Sequence, residues 1–155
     1  MTELKKLQEE MLKLQKQIAT VLNISGYRED EDLSGVNYSI RNSEDLLLIA
    51  EYKSMLYKLS DMQYKLEYLS KSVLFEDMLI LRPDGRYGTS NGKAYYTSGS
   101  GIEFLCSVEV LNEEGYFEDV QAWRLSSVEH NGSDYYIVGY KDVDMNGLKV
   151  RVRSR

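Results

Sequence analysis

The sequence predicts an α+β protein in which an N-terminal antiparallel helical hairpin, built like a coiled coil, precedes a small antiparallel β-barrel or rolled sheet of SH3-like type. Up to about residue 75, apolar side chains recur at alternating spacings of three and four, as in coiled-coil helices. Beyond that point the apolar period changes to two and turn residues recur at short intervals. We therefore expect two domains, residues 1–75 and 76–155, which a chain of 155 residues can accommodate.

The first helix is predicted to begin near Leu4. Its apolar seam, a row of side chains on one helix face, has spacings of three and four and consists of Leu4, Leu7, Met11, Leu14, Ile18 and Val21. The helix is expected to end near Gly26, because glycine readily adopts the left-handed conformation that ends many helices. An acidic loop then follows, with Glu29, Asp30, Glu31 and Asp32.

The second helix is predicted to begin at Asn42 or Ser43, with Glu44 and Asp45 in the first turn, where carboxylates complement the helix dipole. Its seam has the same alternating spacing and consists of Leu48, Tyr52, Met55, Leu59, Met62, Leu66, Leu69 and Val73. Two such seams can fold back and bury each other within one chain. Self-association into a homodimer through the same surface is the alternative, because two helices alone bury only one stripe each.

The second domain is predicted to consist of five or six short strands. Turn signals divide it at Pro83-Asp84-Gly85, Asn91-Gly92, Ser98–Gly101, His130-Asn131-Gly132 and Asn146-Gly147. The longer predicted strands are residues 102–110, 117–128, 134–140 and 148–153. Short strands with frequent reversals over about 80 residues are typical of a small barrel or a rolled sheet.

Composition limits the classes of function. The net charge of −6 and the pI near 4.9 oppose binding to nucleic acid phosphates over the whole surface and favour a basic protein partner. The single cysteine cannot form an internal disulfide, and one cysteine with one histidine cannot form a structural zinc site. We predict no cofactor and no metal. Since no apolar run reaches membrane-spanning length and no secretory signal is recognisable, we expect no membrane association and a cytoplasmic location.

No motif predicts catalytic residues. Gly88–Lys93 has the wrong glycine spacing for a phosphate-binding loop and continues as a strand. Asp142–Gly147 matches the first half of a calcium loop, but Arg153 stands where the bidentate glutamate belongs. An enzyme remains an alternative, since three residues distant in sequence could still meet as a triad: Cys106, His130 and Asp134.

Two charged surfaces are candidate binding sites. Acidic residues at 29–32, together with Glu113, Glu114, Glu118 and Asp119, could imitate nucleic acid toward a basic protein groove; solvated loops are the alternative. The last strand places Leu148, Val150 and Val152 on one face, and its basic side chains, together with Trp123 or nearby tyrosines, could bind nucleic acid. These basic residues are Lys149, Arg151, Arg153 and Arg155. Alternatively, they protect an edge strand or pair with acids.

Four segments carry a family resemblance: Tyr95–Leu105, Trp123–Arg124, Asp134–Tyr140 and Gly147–Arg153. They contain a Gly-Ser turn, a Trp-Arg strand, a Tyr-Tyr strand and a basic last strand in that order. Over roughly residues 77–155, the chain resembles a small β-rich domain of unknown function, 5348-like, carried by plasmids, phages and integrative elements of Firmicutes. The segment of residues 111–119 is longer than the turn usually found at this place in that family.

The resemblance implies a mobile-element setting. Small acidic proteins with a helical arm and a β module in that setting are often inhibitors of host defence, including anti-CRISPR proteins. We therefore expect a non-enzymatic interaction protein, an anti-CRISPR inhibitor that occupies a groove of a Cas nuclease effector such as Cas9 or of its guide RNA complex. The alternative is a nucleic-acid-binding accessory or regulatory module that uses the basic C-terminal strand.

Overall fold

The computed structural model describes residues 2–155 and confirms the α+β prediction: two helices precede a curled, antiparallel seven-stranded sheet. The chain divides into a helical unit, residues 1–71, and a sheet unit, residues 72–155. The boundary between the units therefore lies four residues before the predicted one. Neither described helix combines the length and the apolar character needed to cross a membrane.

Both helices begin and end where short-range signals place them, with one difference. Helix α1 spans Glu3–Ser25 and ends at Gly26, whose φ of 66° is left-handed. Helix α2 spans Ser43–Ser70, and the Asn42 side chain caps it by accepting hydrogen bonds from the first-turn N–H groups. The predicted seam continues to Val73, but this residue begins the first strand, where pairing with the last strand replaces a further helical turn.

The two helices run antiparallel, as predicted. Gln63, in the second half of α2, donates from Nε2 to the carbonyl of Gln15 at 3.1 Å. Ile24, near the end of α1, instead lines an apolar cavity with Ile49, in the first half of α2. The buried cluster of this unit is formed by Ile18, Leu22, Tyr27, Leu33 and Leu56.

The packing face of the helices differs from the predicted seams. On α1, Leu22 is fully buried whereas Val21 is 44% exposed. On α2, Leu56 and Gln63 are buried, whereas the preceding seam residues are exposed. The connecting loop supplies Tyr27 and Leu33 to the core, so the helices do not need to meet along the predicted seams. Ile18 of the α1 seam is nevertheless buried, and Leu59 and Leu66 of the α2 seam pack against the same cluster, so the predicted seams supply only part of the contact face.

The sheet is formed by strands of very different length. They are β1 (Val73–Leu81), β2 (Tyr87–Thr89), β3 (Tyr95–Tyr96), β4 (Gly101–Leu111), β5 (Phe117–His130), β6 (Tyr135–Ile137) and β7 (Lys149–Arg153). Their order across the sheet is β3-β2-β1-β7-β4-β5-β6, and the neighbouring pairs are antiparallel. The core of the unit contains Leu79, Tyr87, Tyr96, Ile102, Phe104, Val128, Ile137, Met145 and Val150.

Strand β7 lies in the middle of the sheet. It pairs with β1 on one side and with β4 on the other, so the suggestion that its charges protect an edge strand is wrong. The predicted alternation is correct, because Val150 is fully buried while Lys149 on the opposite face is exposed. The side chains of β7 that face away from the core therefore meet side chains of two neighbouring strands.

Candidate interaction surfaces

Residues 105–123 form a long two-stranded arm. Strands β4 and β5 pair continuously from Gly101↔Ser127 to Leu111↔Phe117. In the described part of the chain, β7 pairs with β4 only at Glu103 and Phe104, and β6 pairs with β5 only from Val128 onward. The arm therefore extends beyond the sheet without a third strand.

The turn of the arm is held by local hydrogen bonds. The Asn112 side-chain carbonyl accepts from the N–H groups of Glu114 and Tyr116, both at 3.0 Å. Its amide donates to Glu118 at 2.9 Å. Gly115 has a φ of 87°, a conformation in which a side chain would be strained. These contacts fix the five-residue reversal at residues 112–116 and the direction of the side chains beside it.

The tip of the arm combines apolar and acidic side chains. Leu111, Tyr116 and Phe117 are 62%, 69% and 69% exposed. The four predicted acidic residues of this segment are also exposed, two within the reversal and two at the start of β5: Glu113, Glu114, Glu118 and Asp119. Only the acids were predicted from the sequence as binding residues; the apolar residues on either side of the turn were the signal that could have identified the other exposed side chains of the tip.

Like charges also face each other on the arm. Glu109 and Asp119 are directly opposed partners on β4 and β5, and both side chains are exposed. Like charges in this arrangement repel each other across the ladder. A cationic surface placed against the arm would relieve that repulsion.

The acidic loop at residues 29–32 belongs to the helical unit, and its members differ from one another. Glu29, Glu31 and Asp32 are exposed. Asp30 organises the loop: hydrogen bonds from the Ser34 hydroxyl and from the N–H groups of Asp32 and Ser34 hold its pKa below the usual range. Asp30 therefore shapes the loop, and the other three carboxylates remain available to a partner.

The predicted nucleic-acid site is centred on a buried carboxylate. Glu103 is 3% exposed and accepts from Arg151 Nε at 2.6 Å and from Arg153 Nε at 2.8 Å. The Arg151 guanidinium also lies over the Trp123 ring, 4.3 Å from its centroid. Three of the five predicted residues are thus brought together, but their charge is partly neutralised within the domain.

The other two predicted basic residues lie outside this cluster. Lys149 pairs with Glu76 of β1 at 3.2 Å in an exposed ion pair. Arg155 is exposed. The basic strand is therefore less available to phosphates than its sequence indicates.

A second basic surface was missed by the sequence analysis. The guanidinium groups of Arg82 and Arg86 lie 5.0 and 5.7 Å from the ring centroid of Tyr95, which is 56% exposed. The turn between the two arginines brings them together, since Arg82 N–H donates to the Arg86 carbonyl at 2.8 Å. The Pro-Asp-Gly turn was the signal for this pairing, whereas the contact with Tyr95 depends on strand pairing.

The helices also present an exposed apolar surface. We call it the helical stripe; its members, 37% to 66% exposed, are Leu4, Leu7, Met11, Leu14 and Val21 of α1 and Leu48, Tyr52, Met55, Met62 and Leu69 of α2. They are seam positions that the hairpin leaves unburied. The apolar cavity beside them has a volume of about 460 Å³.

The residues considered for catalysis or metal binding have structural contacts. His130 Nδ1 accepts from Gly132 N–H at 3.1 Å, and its ring meets the edge of Tyr135. Cys106 packs against the sheet core. Asp144 accepts from Asn146 N–H within its turn. Among residues 2–155, no three histidine, cysteine, aspartate or glutamate side chains are grouped as metal ligands would be.

Comparison with known proteins gives one match. Residues 77–152 match the family described as domain of unknown function (DUF5348). The matched segment contains the arm and most of the sheet, whereas both helices lie outside it. No curated protein and no solved structure matches the chain at a significant level.

Proposed function

We propose that this protein, whose residues 77–152 match the DUF5348 family, is a non-enzymatic interaction protein whose arm docks into a basic groove of a nucleic-acid-binding protein. The observation that carries this proposal is the tip, where three exposed apolar side chains lie among four exposed carboxylates. Aromatic side chains often supply most of the binding energy at protein interfaces, and here two of them are exposed beside a turn that hydrogen bonds hold in place.

The charges of the arm indicate that the partner presents a basic surface. Carboxylates around an apolar centre attract a basic surface and accelerate its association with the arm. The opposed pair Glu109 and Asp119 gains most from such a surface, because a cation between them removes their repulsion. A groove that normally holds nucleic acid offers the cations that such an arm would meet.

The mobile-element setting implied by the family resemblance favours a host-defence nuclease as this partner. We propose an anti-CRISPR activity toward a Cas effector such as Cas9 or its guide RNA complex, exerted by occupying the groove. This proposal is tested by measuring DNA cleavage by Cas9 with and without a molar excess of the protein. Inhibition is expected, and equal cleavage in both reactions would reject Cas9 as the target.

Variants of the tip connect inhibition to the arm. Replacing Tyr116 and Phe117 by serine should weaken inhibition about tenfold or more, because the anchors of the interface are lost. The matched control replaces Tyr57 and Tyr64 of α2, which are 69% and 71% exposed, by serine. This control should inhibit like the wild type. Equal losses in both variants would contradict docking through the arm.

Variants that remove negative charges distinguish the contributions of the two acidic regions to binding. Converting Glu113, Glu114, Glu118 and Asp119 to their amides should slow association and reduce its salt dependence. The same change at Glu29, Glu31 and Asp32 tests whether the loop of the helical unit contributes. An arm variant that associates at the wild-type rate would show that these carboxylates do not guide binding.

Nucleic-acid binding is a second candidate function, favoured by the exposed Tyr95 with two guanidinium groups against its ring. Aromatic rings beside cations are platforms for the bases of single strands. Binding of a labelled single-stranded oligonucleotide, followed against salt concentration, tests it. Replacing Arg82 and Arg86 by alanine should reduce the salt slope by about two. If only neutralisation of Lys149, Arg151, Arg153 and Arg155 abolishes binding, the basic strand is the site instead.

A further inference from the structure

We propose that the helical stripe is the interface between two copies of this chain, which join their helical hairpins into a four-helix bundle. The proposal does not depend on the function of the arm. It rests on the position of the stripe, on its area and on the symmetric spacing of the α1 seam that contains it.

The exposed seams of the two helices lie on the same side of the hairpin. Val21 of α1 and Tyr52 and Met55 of α2 line the same apolar cavity of about 460 Å³. At this end of the hairpin, the exposed seam residues of the two helices therefore border one depression. A space of this size accommodates several large apolar side chains from outside the hairpin.

The area of the stripe is sufficient for a stable dimer. Its ten members are on average about half exposed. With about 200 Å² for each fully exposed side chain, the stripe offers on the order of 1,000 Å² of apolar surface, compared with about 800 Å² per partner in a typical stable interface. The largest apolar patch of an ordinary monomer is only about 300–600 Å². The stripe is thus larger than the apolar patch that a monomer commonly exposes to water.

The spacing on α1 identifies a second copy as the occupant. The seam advances by three, four, three, four and three residues, a series that reads the same in both directions. An antiparallel second copy related by a two-fold axis therefore aligns Leu4 with Val21 and Met11 with Leu14, while Leu7 meets the helix beside Ile18, which its own hairpin already buries. This alignment brings Leu4 and Leu7 of one copy toward the cavity beside Val21 of the other. The same surface is then buried on both copies.

The mass of the full chain in solution tests the proposal. Sedimentation of the wild type at concentrations up to about 100 μM is expected to give twice the monomer mass of 17.9 kDa. Replacing Leu7 or Leu14 by glutamate should raise the dissociation constant at least about tenfold, because a charge enters the apolar interface. A wild type that remains monomeric over this range would overturn the proposal.

Leu12 provides the matched control. It is 52% exposed on the same helix but lies outside the seam, so Leu12→Glu should leave the dimer intact. If Leu12→Glu dissociates the dimer as strongly as Leu7→Glu, the stripe is not the interface. In the wild type, the thermal midpoint of helix ellipticity should also rise with protein concentration. A concentration-independent midpoint would contradict the proposal even if the glutamate variants fail to fold.

Discussion

In the sheet unit, nine apolar side chains pack into one buried cluster, whereas the helical unit buries five and leaves ten seam side chains exposed in the described residues. The helices nevertheless have the more regular apolar pattern in sequence. Regular spacing therefore indicates that a surface can be buried, but not that its own chain buries it. The sheet unit is expected to have a stability of its own, and that of the helical unit is expected to depend on what covers the stripe.

Separate probes allow this difference to be measured. Trp123, the only tryptophan of the chain, lies in β5 and reports on the sheet unit. Both helices belong to the other unit, so ellipticity at helix wavelengths reports on it. Unfolding by urea, followed with both signals, yields one transition for each unit if they unfold separately.

The largest expected effect is at Glu103 in the sheet unit. Replacing Glu103 by glutamine leaves the charges of Arg151 and Arg153, whose side chains are 21% and 12% exposed, without their carboxylate. Removal of one partner from a buried ion pair costs about 3–5 kcal/mol. We expect the free energy of unfolding measured by tryptophan fluorescence to fall by that amount, with the helix transition unchanged.

The control for Glu103 is the exposed ion pair of Lys149, which lies on β7 together with Arg151 and Arg153. Glu76 pairs with Lys149, and both side chains are exposed, so Glu76→Gln should cost less than about 1 kcal/mol. If the two variants lose the same stability, the buried cluster has no special importance for the sheet. A loss in the helix transition would show instead that the units do not unfold separately.

A smaller, pH-dependent effect is expected at Tyr96. Burial, together with the nearby Glu103 charge, raises the pKa of Tyr96 to about 12 from the usual 10.0. Because the folded-state pKa is the higher one, the associated stability is fully present below pH 10 and is lost as the pH rises from 10 through 12. A shift of this size amounts to about 2–3 kcal/mol at its limit.

Tyr96→Phe should therefore reduce the alkaline loss of sheet stability, measured by tryptophan fluorescence in urea between about pH 9 and pH 12. Its neighbour Tyr95 is 56% exposed and supplies the control, since its ring meets solvent in both states. Tyr95→Phe should retain the wild-type pH profile. If Tyr96→Phe also retains it, ionisation of this phenol does not limit the alkaline stability of the sheet.

The features predicted correctly from the sequence depend on neighbouring residues. The cap at Asn42 and the left-handed residue Gly26 follow from short-range backbone chemistry, and both lie where predicted. The similarity of residues 77–152 to the DUF5348 family was also predicted, from four separate segments. The alternation of β7 was correct because the side-chain period of a strand is the same wherever it lies in the sheet.

The features that were missed depend on distant pairing. Glu103 meets Arg151 across 48 residues of sequence, and nothing near either residue indicates the contact. The arm has no third strand beside it because β7 and β6 pair only with the parts of β4 and β5 that precede and follow it. On α1, Val21 and Leu22 are both apolar, so sequence alone could not decide which one faces α2.

The smallest expected effect concerns Gln63 and has the opposite sign to the others. Gln63 is 2% exposed; its Nε2 donates to the Gln15 carbonyl, while its Oε1 has no hydrogen-bond partner among the described residues. A buried polar atom without a partner is unfavourable, so Gln63→Leu should stabilise the helical unit by about 1 kcal/mol in urea unfolding followed by ellipticity. Gln63→Glu should destabilise it, because a charge replaces the amide. If both variants weaken the unit equally, the amide contributes more through Nε2 than its unpaired oxygen costs. The gain expected for leucine would mean that Gln63 lowers the stability of the helical unit, as buried polar residues that fix the register of packed helices also do.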